Sequence, residues 1–206
     1  MDAINKYQVS ADILSEFVEV AIHSILYNRG LYPQGVFQRR KKYSVPVQMC
    51  LHPDVTSYIC NIVESIKVLL EEGEIEKIVV VILTRHHKPI ERFVFEIATS
   101  SVGSNTSDQY LLEMEGSLRS FLLKLTVCDA MLQSLPEDCT WSVHIHTRES
   151  AAGKIEEKNV VQNFPWVEAD ERQTLLEDPK IVPLKSMKSD YFKLQLFVEE
   201  SSKKKP

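Results

Sequence analysis

The 206-residue chain has few of the features that mark several common protein classes. It contains six glycines, too few and too scattered for a phosphate cradle. No G-x-x-x-x-G-K-[ST] loop, no G-x-G-x-x-G turn after a strand and no G-x-S-x-G elbow is present. Its four cysteines, Cys50, Cys60, Cys128 and Cys139, form no C-x-x-C pair, so the spacing predicts no zinc site. They read as reduced, mostly buried thiols of a cytosolic or nuclear protein. No apolar run approaches the ~20 residues of a membrane span. The opening MDAINKYQVSADIL lacks the charged-then-apolar layout of a signal peptide. The net charge of −5 gives no basic surplus for strong nucleic-acid binding. Spacing reveals no Cys–His or Asp–His arrangement. The expectation is therefore a binding module and not an enzyme, with no cofactor and no metal.

What is present is a mixed α and β pattern. Residues 10–28 carry apolar groups around so wide an arc that a buried helix is predicted. His23 falls inside it and reads as a satisfied core histidine. Tyr32-Pro33-Gln34-Gly35 is a turn signal. A ribbon follows, in which Phe37 and Tyr43 bracket the basic run Arg39-Arg40-Lys41-Lys42 and Pro46 keeps the returning strand at an edge. The run reads as a solvated basic edge, since such charge blocks pairing with other chains. An import signal or a nucleic-acid contact is the alternative. A second helix is predicted from Pro53, carrying Val55, Ile59, Ile62, Ile66 and Leu69, with Gly73 as its C-terminal cap.

IEKIVVVIL (75–83) predicts a strand covered on both faces. His86-His87-Lys88-Pro89 turns the chain as an exposed loop, and IERFVFEI (90–97) returns with strict alternation. A third helix is expected from about Ser107 to Leu132. TWSVHIHTR then alternates, with Trp141, Val143 and Ile145 on one face and Ser142, His144 and His146 on the other. His144 and His146 could share a metal. No third ligand is visible nearby, so two exposed strand histidines are expected. Beyond Glu149 one strand pattern, KLQLFVEE, closes the chain. The segment before it has little periodicity apart from the apolar islands FPWV and IVPL, and so long an irregular segment is functional or disordered.

HSILYNRGLYPQGVFQRRKKY, EKIVVVIL and ERFVFEI together resemble the HORMA domain. VPVQM, VCDAML, HTRE, FPWVEADE and VPLKSMKSD resemble one branch of it, the small accessory subunits of translesion DNA polymerase zeta. The resemblance implies a single α+β domain over 1–206: a core at about 9–148, a C-terminal safety belt and closing strand at about 149–200, and a tail at 201–206. Three helices would pack on an antiparallel sheet, and the belt would trap a partner peptide against it. The resemblance assigns peptide binding to Tyr58, Phe164, Pro165 and Trp166. It assigns docking of a scaffold polymerase's C-terminal domain to Ile181, Gln195 and Phe197. The family often has Tyr where this chain has Phe197, so one possible hydrogen bond is missing. Arg119 and Ala130, expected on the third helix, match a surface that pairs with another HORMA domain, giving a homo- or heterodimer.

The function so implied is a non-catalytic nuclear (also cytoplasmic) adaptor. It would trap a peptide of the catalytic subunit of polymerase zeta, bridge it to the scaffold polymerase and join subunits of a complex that protects broken DNA ends. A spindle-checkpoint protein binding a mitotic activator peptide is the alternative within the same fold. A metal enzyme using His144 and His146 is the alternative from another class.

Overall fold

The computed structural model describes residues 3–99, 108–148, 164–170, 174–189 and 192–202. Three apolar-patterned segments form helices, α1 (Ala3–Asn28), α2 (Pro53–Glu71) and α3 (Asp108–Val127). α1 starts ahead of the predicted residue 10. α3 stops at Val127 and tightens into a 3-10 turn at Cys128–Met131, instead of running to Leu132. α2 begins on Pro53 as expected. α1 and α2 end alike, with a glycine at positive φ after the last turn (Gly30, φ 63°; Gly73, φ 68°). The amides of Leu31 and Glu74 reach back to the carbonyls of Leu26 and Leu69, at 3.1 and 3.0 Å. This satisfies carbonyls that a helix end otherwise leaves bare.

The strands are β1 (Phe37–Lys42), β2 (Val45–Cys50), β3 (Ile75–Leu83), β4 (Pro89–Thr99), β5 (Thr140–Thr147), β6 (Pro179–Lys188) and β7 (Phe192–Ser201). β1 and β2 form a separate two-stranded ribbon. The other five make one antiparallel sheet in the order β5-β3-β4-β7-β6. β3 is an interior strand, buried from Ile78 to Leu83. β6 is the strand that sequence reasoning missed. Pro179 and Pro183 and its exposed Lys residues obscure the pattern, and an edge strand tolerates them because one side needs no ladder partner.

One face of the sheet meets the helices. Phe17 of α1 is fully buried and stands edge-on to Tyr43, Phe95 and Phe121, so one ring joins α1, the ribbon turn, β4 and α3. The other face carries a smaller cluster of Val79, Val81, Leu83 and Val94, with Phe197 packed against it.

A histidine and an arginine lie deep in the core. His23 Nδ1 accepts the amide N–H of Cys50 at 3.1 Å, so the satisfied core histidine is present as read. Burial lowers its pKa to about 4. The Arg29 guanidinium donates to both carboxylate oxygens of Glu91 (2.9 and 2.6 Å), to Asp129 and to the carbonyl of Gln133 at 2.7 Å. Glu91 and Glu200 are paired across β4 and β7, both buried, and Glu200 accepts the Gln133 amide at 2.7 Å.

Both groups generate a prediction. The folded chain keeps His23 neutral, while an unfolded histidine protonates below pH ~6.5. Stability from the neutral ring is thus full above that pH and lost as pH falls toward about 4, by about 2–3 kcal/mol. Denaturant unfolding between those pH values should show the slope, and His23→Gln should flatten it. Arg29→Ala strands Glu91 in the core and should cost about 3–5 kcal/mol. A loss below about 1 kcal/mol on thermal unfolding would mean that the network contributes little.

Candidate functional site

α2 lays Tyr58 on its surface, 39% exposed, because the buried side of the helix is taken by Ile59, Ile62, Ile66 and Leu69. The Tyr58 ring stands edge-on to Trp141 of β5 at 5.4 Å and tilted against Phe164 at 5.7 Å. Phe164 in turn meets Trp166 at 4.7 Å. Trp141 Nε1 donates to the Tyr32 hydroxyl at 3.0 Å. Trp166 Nε1 donates to Ser65 Oγ at 3.1 Å, and the Ser65 hydroxyl donates to the carbonyl of Ile62 at 2.7 Å. The expected Tyr58, Phe164 and Trp166 are therefore together, with exposed Pro165 between the two rings of the belt segment. Each indole N–H has a partner, as half-buried Trp requires. Burial and the neighbouring Tyr32 raise the pKa of Tyr58.

Tyr32 and Trp141 are site residues that sequence reasoning placed only in a turn and a strand. The available signal was scarcity, since the chain has just two Trp. β5 is an edge strand of the sheet, bonded only to β3 among the described residues. The cluster thus sits where α2, the FPW segment and an open sheet edge converge. Residues 149–163 of the expected belt lie outside the described residues. Its later part is fastened: Lys88 pairs with Glu177 at 3.0 Å, and the hydroxyls of Ser201 and Ser202 donate to the carbonyls of Glu177 and Asp178.

Ile181, Gln195 and Phe197 fall on one sheet face, the face away from the helices. Leu194, Leu196 and Val198 of β7 and Val182 and Leu184 of β6 are buried, so their neighbours point outward. Ile181 is opposite Glu199, and Phe197 opposite Pro183. Ile181 is 60% exposed. Phe197 is half-buried on the small outer cluster and not freely exposed. Arg119 Nε donates to the Tyr43 carbonyl at 3.0 Å. Ala130 lies in the 3-10 turn and not on α3 itself. Exposed Leu112, Leu123 and Val127 share the Arg119 side of the helix at helical spacing, an apolar stripe that the sequence reading did not single out.

His144 and His146 share a face as alternation requires, but half-buried instead of exposed. His144 Nε2 and Ser142 Oγ are 3.1 Å apart. Burial first, then nearby Arg92, lowers both pKas. No group of three His, Cys, Asp or Glu able to hold a metal occurs among the described residues.

The HORMA domain family model matches residues 10–191. The chain belongs to the HORMA domain family. This HORMA chain is 50% identical over 201 residues to the mitotic spindle assembly checkpoint protein MAD2B of Rattus norvegicus, covering 98% of this chain and 95% of that protein. It is 33% identical over 194 residues to the DNA polymerase zeta processivity subunit of Arabidopsis thaliana, covering 94% and 86%. Among solved structures, a chain of the mitotic checkpoint complex superposes with TM-score 0.80 at 25% identity, covering 95% and 96%. C. elegans HTP-2 bound to an HTP-3 closure motif superposes with TM-score 0.74 at 11% identity, covering 94% and 86%, a likeness of fold alone. The HORMA fold of three helices and a five-stranded antiparallel sheet is thus as expected, and β6 and β7 occupy the C-terminal belt region.

The Trp166–Ser65 bond can be read directly. In a Trp141→Phe background Trp166 is the sole indole emitter. Ser65→Ala should shift its emission to the red and cost about 0.5–1.5 kcal/mol of stability. Unchanged emission and stability would mean that the indole is held by its rings and not by this bond.

Proposed function

We propose that this HORMA chain is the non-catalytic adaptor subunit of a translesion DNA polymerase zeta. It traps a peptide of the catalytic subunit beneath the segment 149–200 and bridges it to a scaffold polymerase. The observation that carries this is the aromatic cluster of Tyr58, Phe164 and Trp166 beside the edge of β5, which bonds only to β3 among the described residues. An extended peptide entering there finds backbone partners on a sheet edge and rigid rings for its side chains, which gives contact area at low entropy cost. The similarity to MAD2B and to a polymerase zeta processivity subunit supports the same reading. Pairing with another HORMA domain is assigned to Arg119 and Ala130, and the stripe of Leu112, Leu123 and Val127 enlarges that surface. Subunits of a DNA end-protection complex are further partners, and the nucleus, with some cytoplasm, is the place of action.

A second reading is a spindle-checkpoint role with a mitotic activator peptide in the same site; the relative's name favours it. Calorimetry with both peptides separates the two. A proline-containing peptide of the catalytic subunit should bind tightly, and the activator peptide should not displace it. Tyr58→Ala and Trp166→Ala should each lose ~2–4 kcal/mol, roughly 30- to 1000-fold in affinity. Binding by folded Trp166→Ala within about threefold of the parent would remove the proposed site. In the same preparations, Phe197→Ala should weaken binding of the scaffold polymerase's C-terminal domain while leaving the peptide isotherm unchanged. Equal loss of both partners would mean that the two surfaces are not separate.

A further inference from the structure

The β1–β2 ribbon lies outside the main sheet. β1 carries Arg39, Arg40 and Lys41, all exposed and without an ion pair among the described residues. Lys42 is taken by Glu16 at 2.7 Å. The connecting turn has two residues, Tyr43 and Ser44, at φ 47° and 58°. Asn or Gly usually fills such positions, so Tyr-Ser here is strained and must be held by its surroundings. It is held: the Tyr43 ring stands on Phe17, its hydroxyl donates to the Ile13 carbonyl at 3.3 Å and its carbonyl accepts from Arg119.

The register then fixes what β1 offers. In a two-residue hairpin Lys42–Val45, Arg40–Val47 and Gln38–Met49 exchange their backbone hydrogen bonds. Arg39 and Lys41 therefore turn their N–H and C=O groups to the outer edge, where no strand pairs among the described residues, while the Phe37 N–H is already taken by the Gln34 carbonyl. The side chains of Arg39 and Lys41 stand across from Gln48 and Pro46, opposite the face on which Val45 and Val47 are buried. A groove of about 410 Å³ is lined by Arg39, Arg40, Lys41, Ser44 and Pro46.

We propose that β1 is a docking edge for an extended acidic segment of a partner protein, which adds as a strand with alternate Asp or Glu side chains facing Arg39 and Lys41. Two features select this occupant. Unpaired backbone donors and acceptors in strand geometry are satisfied by another polypeptide and not by a phosphate chain. The cations that repel neutral and basic strands attract an acidic one. Nucleic acid fits less well, since the ribbon neutralises only a few phosphates and the chain carries a net charge of −5. The edge is preorganised by the clamped turn, which lowers the entropy cost of docking. This site stands apart from the aromatic cluster on α2 and does not rest on it.

The test is an amide-resolved NMR titration of the full chain with a nine-residue acetylated peptide of alternating Glu and Thr. Its comparisons are the same peptide with Lys for Glu, the same peptide N-methylated at alternate amides, and a 20-nucleotide single-stranded DNA. The Glu peptide should shift the amides of Arg39 and Lys41, and the N-methylated and Lys peptides should not. Arg39→Glu with Lys41→Glu should weaken the Glu peptide by about tenfold and admit the Lys peptide instead. The proposal is overturned if the β1 amides do not move, if the Lys or N-methylated peptide binds as well, or if the DNA takes the ribbon more tightly than the Glu peptide. If the double variant does not fold, the peptide comparisons on the native chain still decide.

Discussion

The buried Arg29 guanidinium is the point on which the arrangement depends. Glu91 and Glu200 are paired across β4 and β7, both buried, and a buried carboxylate needs a charged or hydrogen-bonding partner. Arg29, at the end of α1, supplies the positive charge, and it also reaches Asp129 and the Gln133 carbonyl. Glu200 completes the ring by accepting the Gln133 amide. Four pieces distant in sequence are thereby tied: α1, β4, the turn after α3 and the closing strand β7. A buried ion pair of this kind gives little net stability over an apolar packing, but it tolerates few alternative registers. The turn that holds Ala130 is consequently bound to the strand that holds Gln195 and Phe197.

From that joint the sheet divides the molecule into two sides. Toward the helices, the main core extends to the aromatic cluster at α2 and the β5 edge. Away from them, a thin apolar cluster carries Phe197 near Ile181 and Gln195. The C-terminal segment contributes to both sides, Phe164–Trp166 on one and β6–β7 on the other. Strand alternation makes this possible, since each residue along β7 addresses the opposite face from its neighbour.

Trp166 shows how a residue can be prominent in sequence while its environment is not. In the sequence it stands in the apolar island FPWV, away from any periodic run. That it lies against α2, and that its indole N–H closes on Ser65, follows only from the packing. Phe197 owes its face to strand alternation along β7, whereas its burial comes from Val79, Val81 and Val94 on other strands. His144 and His146 are half-buried for the same kind of reason, an environment made by neighbouring strands.

Local chemistry determined much of the fold. The start of α2 at Pro53, the glycine end at Gly73, the turn before Pro89 and the doubly buried β3 were legible because each depends on residues adjacent in the chain. The quoted words identified the family for the same reason: they are local. β6 was not legible, since prolines and lysines erase alternation wherever an edge strand needs only one ladder. The end of α3 was not legible either, because Cys128 to Gln133 is held by Arg29 and Glu200, far away in sequence. Periodicity and capping report what a segment does alone. Which segments meet, and which polar groups they bury together, was decided by tertiary structure, because the desolvation that fixes those contacts exists only once the sheet and helices have closed around them.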